Sequence, residues 1–340
     1  MKRIGKTLII AGGLLFIGLI IMAMGTGIII GRGGRSSGST PAGQRPGQIE
    51  YETKTYAVKG SDIQTLVTDL TYEDVRIEPT DGDEIKVEYQ DVVGDPRYEV
   101  TEMNGTLTVS QKMQRTGTVG IGQWFQMPVL TSENFRYGTA TDSGLIGDIV
   151  VQIPADYIGD YQFSYTSGSV DMANITTDGS IESDFTSGSL DLANVDLAGD
   201  LVTDYTSGRV TCENVSVGGN MYADYTSGSC SYTSGSIAGD FQSTETSGGV
   251  RLENVTVWNV RVVTTSGGVK FDTLTLGNAM SVDATSATVR ATLTDRPEQY
   301  TIHSETGSGS NNLPTDTGTR GDKSISVETT SGTIDFKFAE

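Results

Sequence analysis

Past about residue 160 the chain alternates apolar and polar residues in short runs, and the runs recur at a fixed interval. The triplet Thr-Ser-Gly has its serine at Ser167, Ser187, Ser207, Ser227, Ser247 and Ser266. It continues as Thr-Ser-Ala at Ser286 and Thr-Gly at Thr306, and returns at Ser331. The steps are 20, 20, 20, 20, 19, 20, 20 and 25 residues. Apolar columns keep the same phase. Val170, Leu190, Val210, Cys230, Val250, Val269 and Val289 follow each marker by three, and Met172, Leu192, Cys212, Tyr232, Leu252, Phe271 and Ala291 by five. Alternation with period two is the signature of a half-buried strand. No segment of the repeat offers helical spacing over ten residues.

Polar columns mark corners. One is Thr-Ser-Gly itself. A second is Asn174, Asn194, Asn214 and Asn254, where an Asx side chain bonds its own backbone and tolerates an unusual φ. A third is the Gly-polar pair beginning at Gly159, Gly179, Gly199, Gly219 and Gly239, where glycine is expected to supply a positive φ. Three corners in twenty residues leave three strands of about five residues each. One such coil cannot bury its apolar side alone, but stacked coils can, with identical side chains forming ladders. The pattern therefore predicts an all-β chain, a β-solenoid (β-helix) with coils of about 20 residues, regular over 148–340. The stretch Asn311–Lys323 carries the five-residue excess and reads as a loop.

Residues 50–147 read as an irregular β cap. Strands are expected at Ile63–Val67, Asp74–Glu78, Ile85–Tyr89, Tyr98–Thr101 and Thr106–Ser110, with Asp81-Gly82 and Asn104-Gly105 as hairpin turns. A long loop spans 111–147. Its Trp124, Phe125, Met127 and Tyr137 are candidate partner-contact residues, with plugging the end of the rod as the competing reading.

Upstream, residues 7–30 hold no charge and are rich in Leu, Ile and Gly. At about 1.5 Å per residue they are long enough to cross a hydrocarbon core of roughly 30 Å. The stretch exceeds the apolar region of a cleaved signal peptide, normally about 7–15 residues. It predicts one N-terminal transmembrane α-helix between a short tail, 1–6, and a flexible linker, 31–49. Lys2, Arg3 and Lys6 precede it, while Arg32, Arg35 and Arg45 follow, so charge sets orientation only slightly. A large acidic β domain behind a single anchor is expected outside the cytoplasm, which places the chain in the cell membrane as a single-pass protein.

Composition narrows the chemistry. The formal net charge is −20, and no basic stripe follows residue 45, which argues against nucleic-acid binding. His303 is the only histidine, which removes most acid–base and zinc chemistry. It reads as a surface residue beside a loop. Cys212 and Cys230 are too few for a disulfide framework, and their offset of two positions on adjacent coils predicts buried free thiols. The sequons at Asn174, Asn214 and Asn254 share one repeat phase, so turn formation explains them without sugar.

Asp184, Asp204 and Asp224 form the sharpest candidate site. Stacked about 4.8 Å apart, their carboxylates would repel, and Ca²⁺ would relieve this. A solvated acidic stripe screened by salt is the alternative. Asp81-Gly-Asp83-Glu84 lacks the rest of a Ca²⁺ loop and reads as a turn. No cofactor is otherwise expected. Arg209, Arg251 and Lys270 read as scattered, leaving no cluster of acids and bases for polysaccharide chemistry.

The segment Asp74-Val-Arg-Ile-Glu-Pro-Thr-Asp-Gly-Asp-Glu-Ile-Lys-Val-Glu-Tyr89 leads to Asn104-Gly-Thr-Leu-Thr-Val109, Ile149-Val-Val-Gln-Ile-Pro154 and the Thr-Ser-Gly repeats. Together, over roughly Tyr56 to Phe338, they resemble a bacterial domain-of-unknown-function family described as β-strand-repeat or "putative adhesin" proteins. The chain departs from that pattern in carrying Ser-Gly-Ser or Ser-Gly-Gly where the family often has Ser-Gly-Asp. The resemblance implies a non-enzymatic β-solenoid at the cell envelope, acting in adhesion, scaffolding or envelope-stress sensing, with an envelope protein or glycan as partner. A carbohydrate-binding or carbohydrate-active β-helix is the alternative. Oligomeric state stays open.

Overall fold

The computed structural model describes residues 51–112, 148–318 and 321–340. The expected helix at 7–30, its linker, and the loop residues Trp124, Phe125, Met127 and Tyr137 lie outside the described residues. Among the described residues no helix is long and apolar enough to cross a membrane.

The middle of the chain winds as the repeat predicts. Strands β8 (Asp160–Thr177), β9 (Ile181–Leu197), β10 (Leu201–Val217) and the start of β11 (Met221–Leu293) pair in parallel. Each residue lies against its counterpart twenty positions away, Tyr161 on Ile181, Ile181 on Leu201, Leu201 on Met221. β11 runs for 73 residues, longer than three coils, and passes its own corners at Ser234, Asn254 and Thr273. Every coil has three inward faces. In the first they are Tyr161, Phe163 and Tyr165, then Val170 and Met172, then Ile175 and Thr177, all buried. Alternate residues point to water, as period-two patterning requires. Each fully buried large apolar side chain contributes roughly 1.5–3 kcal/mol, so the shared interior is what holds the coils together.

The corners show why particular residues recur. Asn174, Asn194, Asn214 and Asn254 sit in the left-handed region, with φ of 58°, 53°, 53° and 53°. Ser234 and Thr273 fill the missing steps at 60° and 55°, so the coil imposes this conformation and asparagine suits it best. The asparagines also form a ladder, Asn194 Nδ2 donating to Asn174 Oδ1 at 3.0 Å and Asn214 Nδ2 to Asn194 Oδ1 at 2.9 Å. The glycine corner needs a correction. Positive φ is absent from Gly159, Gly179, Gly199, Gly219 and Gly239. Close approach is the reason for glycine there: a Cβ on Gly179 or Gly199 would lie 2.3 or 2.5 Å from a carbonyl oxygen of the preceding coil. The polar residue that follows Gly159, Gly179, Gly199 or Gly219 accepts from the next coil's backbone, as when Ser180 N donates to Asp160 Oδ1 at 2.8 Å and Asn220 N to Asp200 Oδ1 at 2.7 Å.

Both ends break sequence order. The N-terminal region contains β1 (Tyr51–Lys59), β2 (Thr65–Leu70), β3 (Val75–Thr80), β4 (Glu84–Val92), β5 (Tyr98–Met103), β6 (Thr106–Gln111) and β7 (Ile149–Pro154). One run of paired strands reads β8–β3–β7–β4–β1 and another β8–β2–β6–β5. Asn104 and Gly105, at φ 52° and 76°, close the expected β5–β6 hairpin. Asp81-Gly82 closes none, because β7 lies between β3 and β4, parallel to the first and antiparallel to the second.

At the other end β12 (Tyr300–Ser308) does not stack on β11. β13 (Lys323–Ser331) slides between them, pairing Ser331 with both Ser286 and Ser308, while β14 (Ile334–Lys337) pairs with Val289–Thr292. The marker in phase is thus Ser308 rather than Thr306. Part of the expected loop also covers the terminal strand. Ser304 N donates to Thr315 O and Thr317 N to Ile302 O, both at 3.0 Å. This blunts the edge that would otherwise pair with another chain.

Candidate functional site

The acidic column forms as the repeat predicts, Asp184 paired with Asp204 and Asp204 with Asp224. Partial burial within the stack, with the carboxylates of Asp184 and Asp224 on either side, pushes Asp204 up to about 6. Burial also raises Asp184, with help from Glu182, and raises Asp224 against the hydrogen bonds of Thr244. Thr244 N donates to Asp224 Oδ1 at 3.0 Å and ends this run. Among the described residues no group of three or more His, Cys, Asp or Glu side chains is arranged to hold a metal ion.

The same outward column resumes as Asp283, Glu328 and Glu305. Sequence reasoning missed this second triplet because β13 enters out of order, so the spacing in the chain hides it. It borders a recess of about 350 Å³, and His303 Nε2 approaches Glu328 Oε1 at 3.8 Å on the exposed surface. A recess of about 220 Å³ lies between Asp171, Asp191 and Glu213. Burial first, then the neighbouring Asp191 charge, raises Asp171. These outer faces favour cations and repel anions.

The basic residues are less scattered than the spacing implied. Arg251 and Lys270 take the same place after consecutive markers, and Arg290 follows them, paired in register with Asp335. Each of the first two has an acid beside it in its own coil, Glu253 for Arg251 and Asp272 for Lys270, the latter pair at 3.3 Å. The column is neutralised and makes no anion cradle.

Cys212 and Cys230 are free and buried. Cys230 stacks on Val210 and Cys212 on Tyr232, so the thiols do not face each other directly. Burial pushes the Cys230 thiol up to about 12, which leaves it inert at neutral pH. Tyr232 is accommodated by Gly235, where a Cβ would come within 3.0 Å of its ring. Its hydroxyl donates to Val215 O at 2.5 Å.

Two residues escaped the sequence reading. Trp258 is 53% exposed at a corner, its ring lying over Gly277 of the following coil. Glu245 is buried, with neither carboxylate oxygen hydrogen-bonded. The second was legible in principle, because its inward column otherwise begins Tyr165, Phe185, Tyr205, Tyr225.

Residues 63–337 match the Toastrack DUF4097 family. The chain belongs to that family. No curated protein matches it. Among solved structures, a "putative adhesin" from Parabacteroides distasonis is 12% identical and superposes with a TM-score of 0.52, covering 85% of this chain and 97% of that one. Another from Parabacteroides merdae is 11% identical, with the same coverage and a TM-score of 0.47. A "putative cell adhesion protein" from Clostridium sporogenes is 12% identical, covering 85% of this chain and all of that one, with a TM-score of 0.27. At such identities the first likeness shows a shared fold. The Toastrack rod thus offers extended outer faces whose polar side chains are largely engaged with their own ladders.

Proposed function

We propose that this Toastrack chain is a non-enzymatic interaction module, tethered to the cell membrane by residues 7–30 and carrying its rod on the outer side for adhesion or scaffolding. The observation that carries the reading is the use of the polar columns. Asparagine and aspartate side chains serve as rungs between coils, and the base that stands beside an acidic triplet, His303 at 3.8 Å from Glu328, lies on the exposed surface. The Parabacteroides distasonis structure described as a "putative adhesin" supports the same direction. In intact cells the full chain is expected in the membrane fraction, with residues 51–340 cleaved by external protease, and both properties are expected to vanish when 7–30 are deleted. A cytoplasmic, protease-protected full chain would refute the tether. Turnover of a polysaccharide, abolished by Asp204→Asn, would refute the non-enzymatic reading.

Trp258 favours glycan as the partner class. An indole exposed at a corner gives the apolar face that sugar rings stack on, beside polar rungs such as Asn259 and Asp240, whose side chains bond at 2.7 Å. Titration of a Trp124→Phe chain with envelope polysaccharide is expected to quench the remaining tryptophan fluorescence. Unchanged fluorescence up to millimolar glycan would exclude this partner class at Trp258.

A further inference from the structure

One interior corner of the rod changes character along its length. Beneath the Thr-Ser-Gly markers, Tyr165, Phe185 and Tyr205 stack with ring centroids 5.0 and 5.1 Å apart, and Tyr225 follows. The same inward position then holds Glu245, Thr264 and Ala284, and beyond them Thr329 and Thr306. Glu245 is 3% exposed. Among the described residues, the buried side-chain oxygens without a hydrogen-bond partner are both oxygens of Glu245, the hydroxyls of Thr264 and Thr329, and the hydroxyl of Tyr161. All but the last belong to this single column. Such groups are rare in folded proteins and each calls for an explanation.

The surroundings of Glu245 leave little choice of charge state. From the coil before, Tyr225 and Cys230 interact with it, and burial raises both, keeping them neutral. In its own coil Ser243 spends its hydroxyl on Tyr225 at 3.3 Å. From the coil after come the Thr264 hydroxyl and the backbone of Gly267, where a Cβ would sit 3.3 Å from Oε1. Among the described residues no charged side chain faces its carboxyl. An ionised carboxylate without a partner is strongly disfavoured in such a place. Burial accordingly lifts Glu245 to about 7, the nearby Thr264 hydroxyl opposing the rise without completing a hydrogen bond.

We propose that Glu245 is a proton-binding joint of the rod, a neutral carboxylic acid in the packed stack whose ionisation loosens the coils that carry Tyr225 and Thr264. The sign follows from linkage. The folded state binds the proton more tightly than the unfolded chain, so packing here is firm at mildly acid pH and weakens as pH rises through neutrality. The coil that contains Glu245 also presents Arg251 and Trp258 on its outside, so the joint lies beneath the surface most varied in chemistry.

Infrared spectroscopy of the full chain, compared with Glu245→Gln, tests this directly. At pH 6 the wild type should show a carboxylic-acid carbonyl band that the variant lacks, and the difference should fade as pH rises through about 7. Hydrogen exchange at pH 8.5 should be faster in the wild type than in the variant for the amides of 222–226 and 262–266. Subtracting the variant removes the contribution of Asp204, which titrates in a neighbouring range. A difference spectrum without the acid band, or a band unaccompanied by the change in exchange, overturns the proposal.

Discussion

The coils of β8 to β10 and the coils of β11 share one backbone and differ in what fills it. In the first group the corner under Thr-Ser-Gly is packed with stacked rings, Phe185 lying between Tyr165 and Tyr205 at interplanar angles of 9° and 15°. In the second Tyr225 is followed by a carboxyl group, Glu245, then a threonine, Thr264, and an alanine, Ala284. Register is nevertheless maintained, as the Asn259–Asp240 and Asn278–Asn259 bonds at 2.7 and 2.8 Å show. Ladder hydrogen bonds and corner geometry therefore keep the register while the residues at this one interior corner change. Stability and responsiveness are thus assigned to different stretches of one rod.

The largest effect that would sharpen this contrast is at the centre of the aromatic stack. Phe185→Ala removes a fully buried ring flanked by two others and is expected to cost about 3–5 kcal/mol, read by chemical denaturation of the full chain. A loss below about 1 kcal/mol would mean that the rings are ornamental to the packing.

Next comes the outer acidic column. Asp204 is raised in the folded state to about 6, so its ionised form is disfavoured there. The penalty is absent below the ordinary aspartate range and develops as pH rises through 6. Asp204→Asn is expected to stabilise the chain by about 1 kcal/mol at pH 7.5, after discounting for solvent screening, and by nothing measurable at pH 4. Equal effects at both pH values would exclude carboxylate repulsion as the cause.

An effect no larger falls on the exposed rungs. Asn194→Ala breaks two side-chain bonds in the ladder and loses a residue suited to φ of 53°, for an expected cost of about 1 kcal/mol. Asn194→Gly, which tolerates the backbone but not the ladder, should recover part of that loss.

What the amino-acid order revealed follows the same division. The middle coils were legible because each repeats the chemistry of its neighbour twenty residues away, so Val170, Leu190 and Val210 announce a buried column without any knowledge of pairing. The ends were not legible, because β7 and β13 insert between strands already placed. No local signal tells Lys323 that it will lie beside Tyr300 and clasp Asp295, whose carboxyl accepts from Lys323 Nζ at 2.7 Å and from Tyr300 at 2.9 Å. That insertion also concealed Asp283, Glu328 and Glu305 as one column. The glycine corners were located correctly and misread in cause, since a sequence shows that a Cβ is missing but not which atom would have struck it. Asp81-Gly82 failed as a hairpin for a related reason: turn chemistry is local, and the partner of a strand is not.

The central claim is that outward positions one repeat apart lie one coil step apart. Pulsed electron spin resonance on doubly labelled full-length chains measures this directly. With a step of about 4.8 Å, labels at Gln162 and Gln242 should lie about 19 Å apart and labels at Gln162 and Ser281 about 29 Å, before allowance for the label arms. Distances that rise by one increment per repeat bear out the stacked rod. Distances that do not grow with the number of intervening repeats, as for independent hairpins, would contradict it.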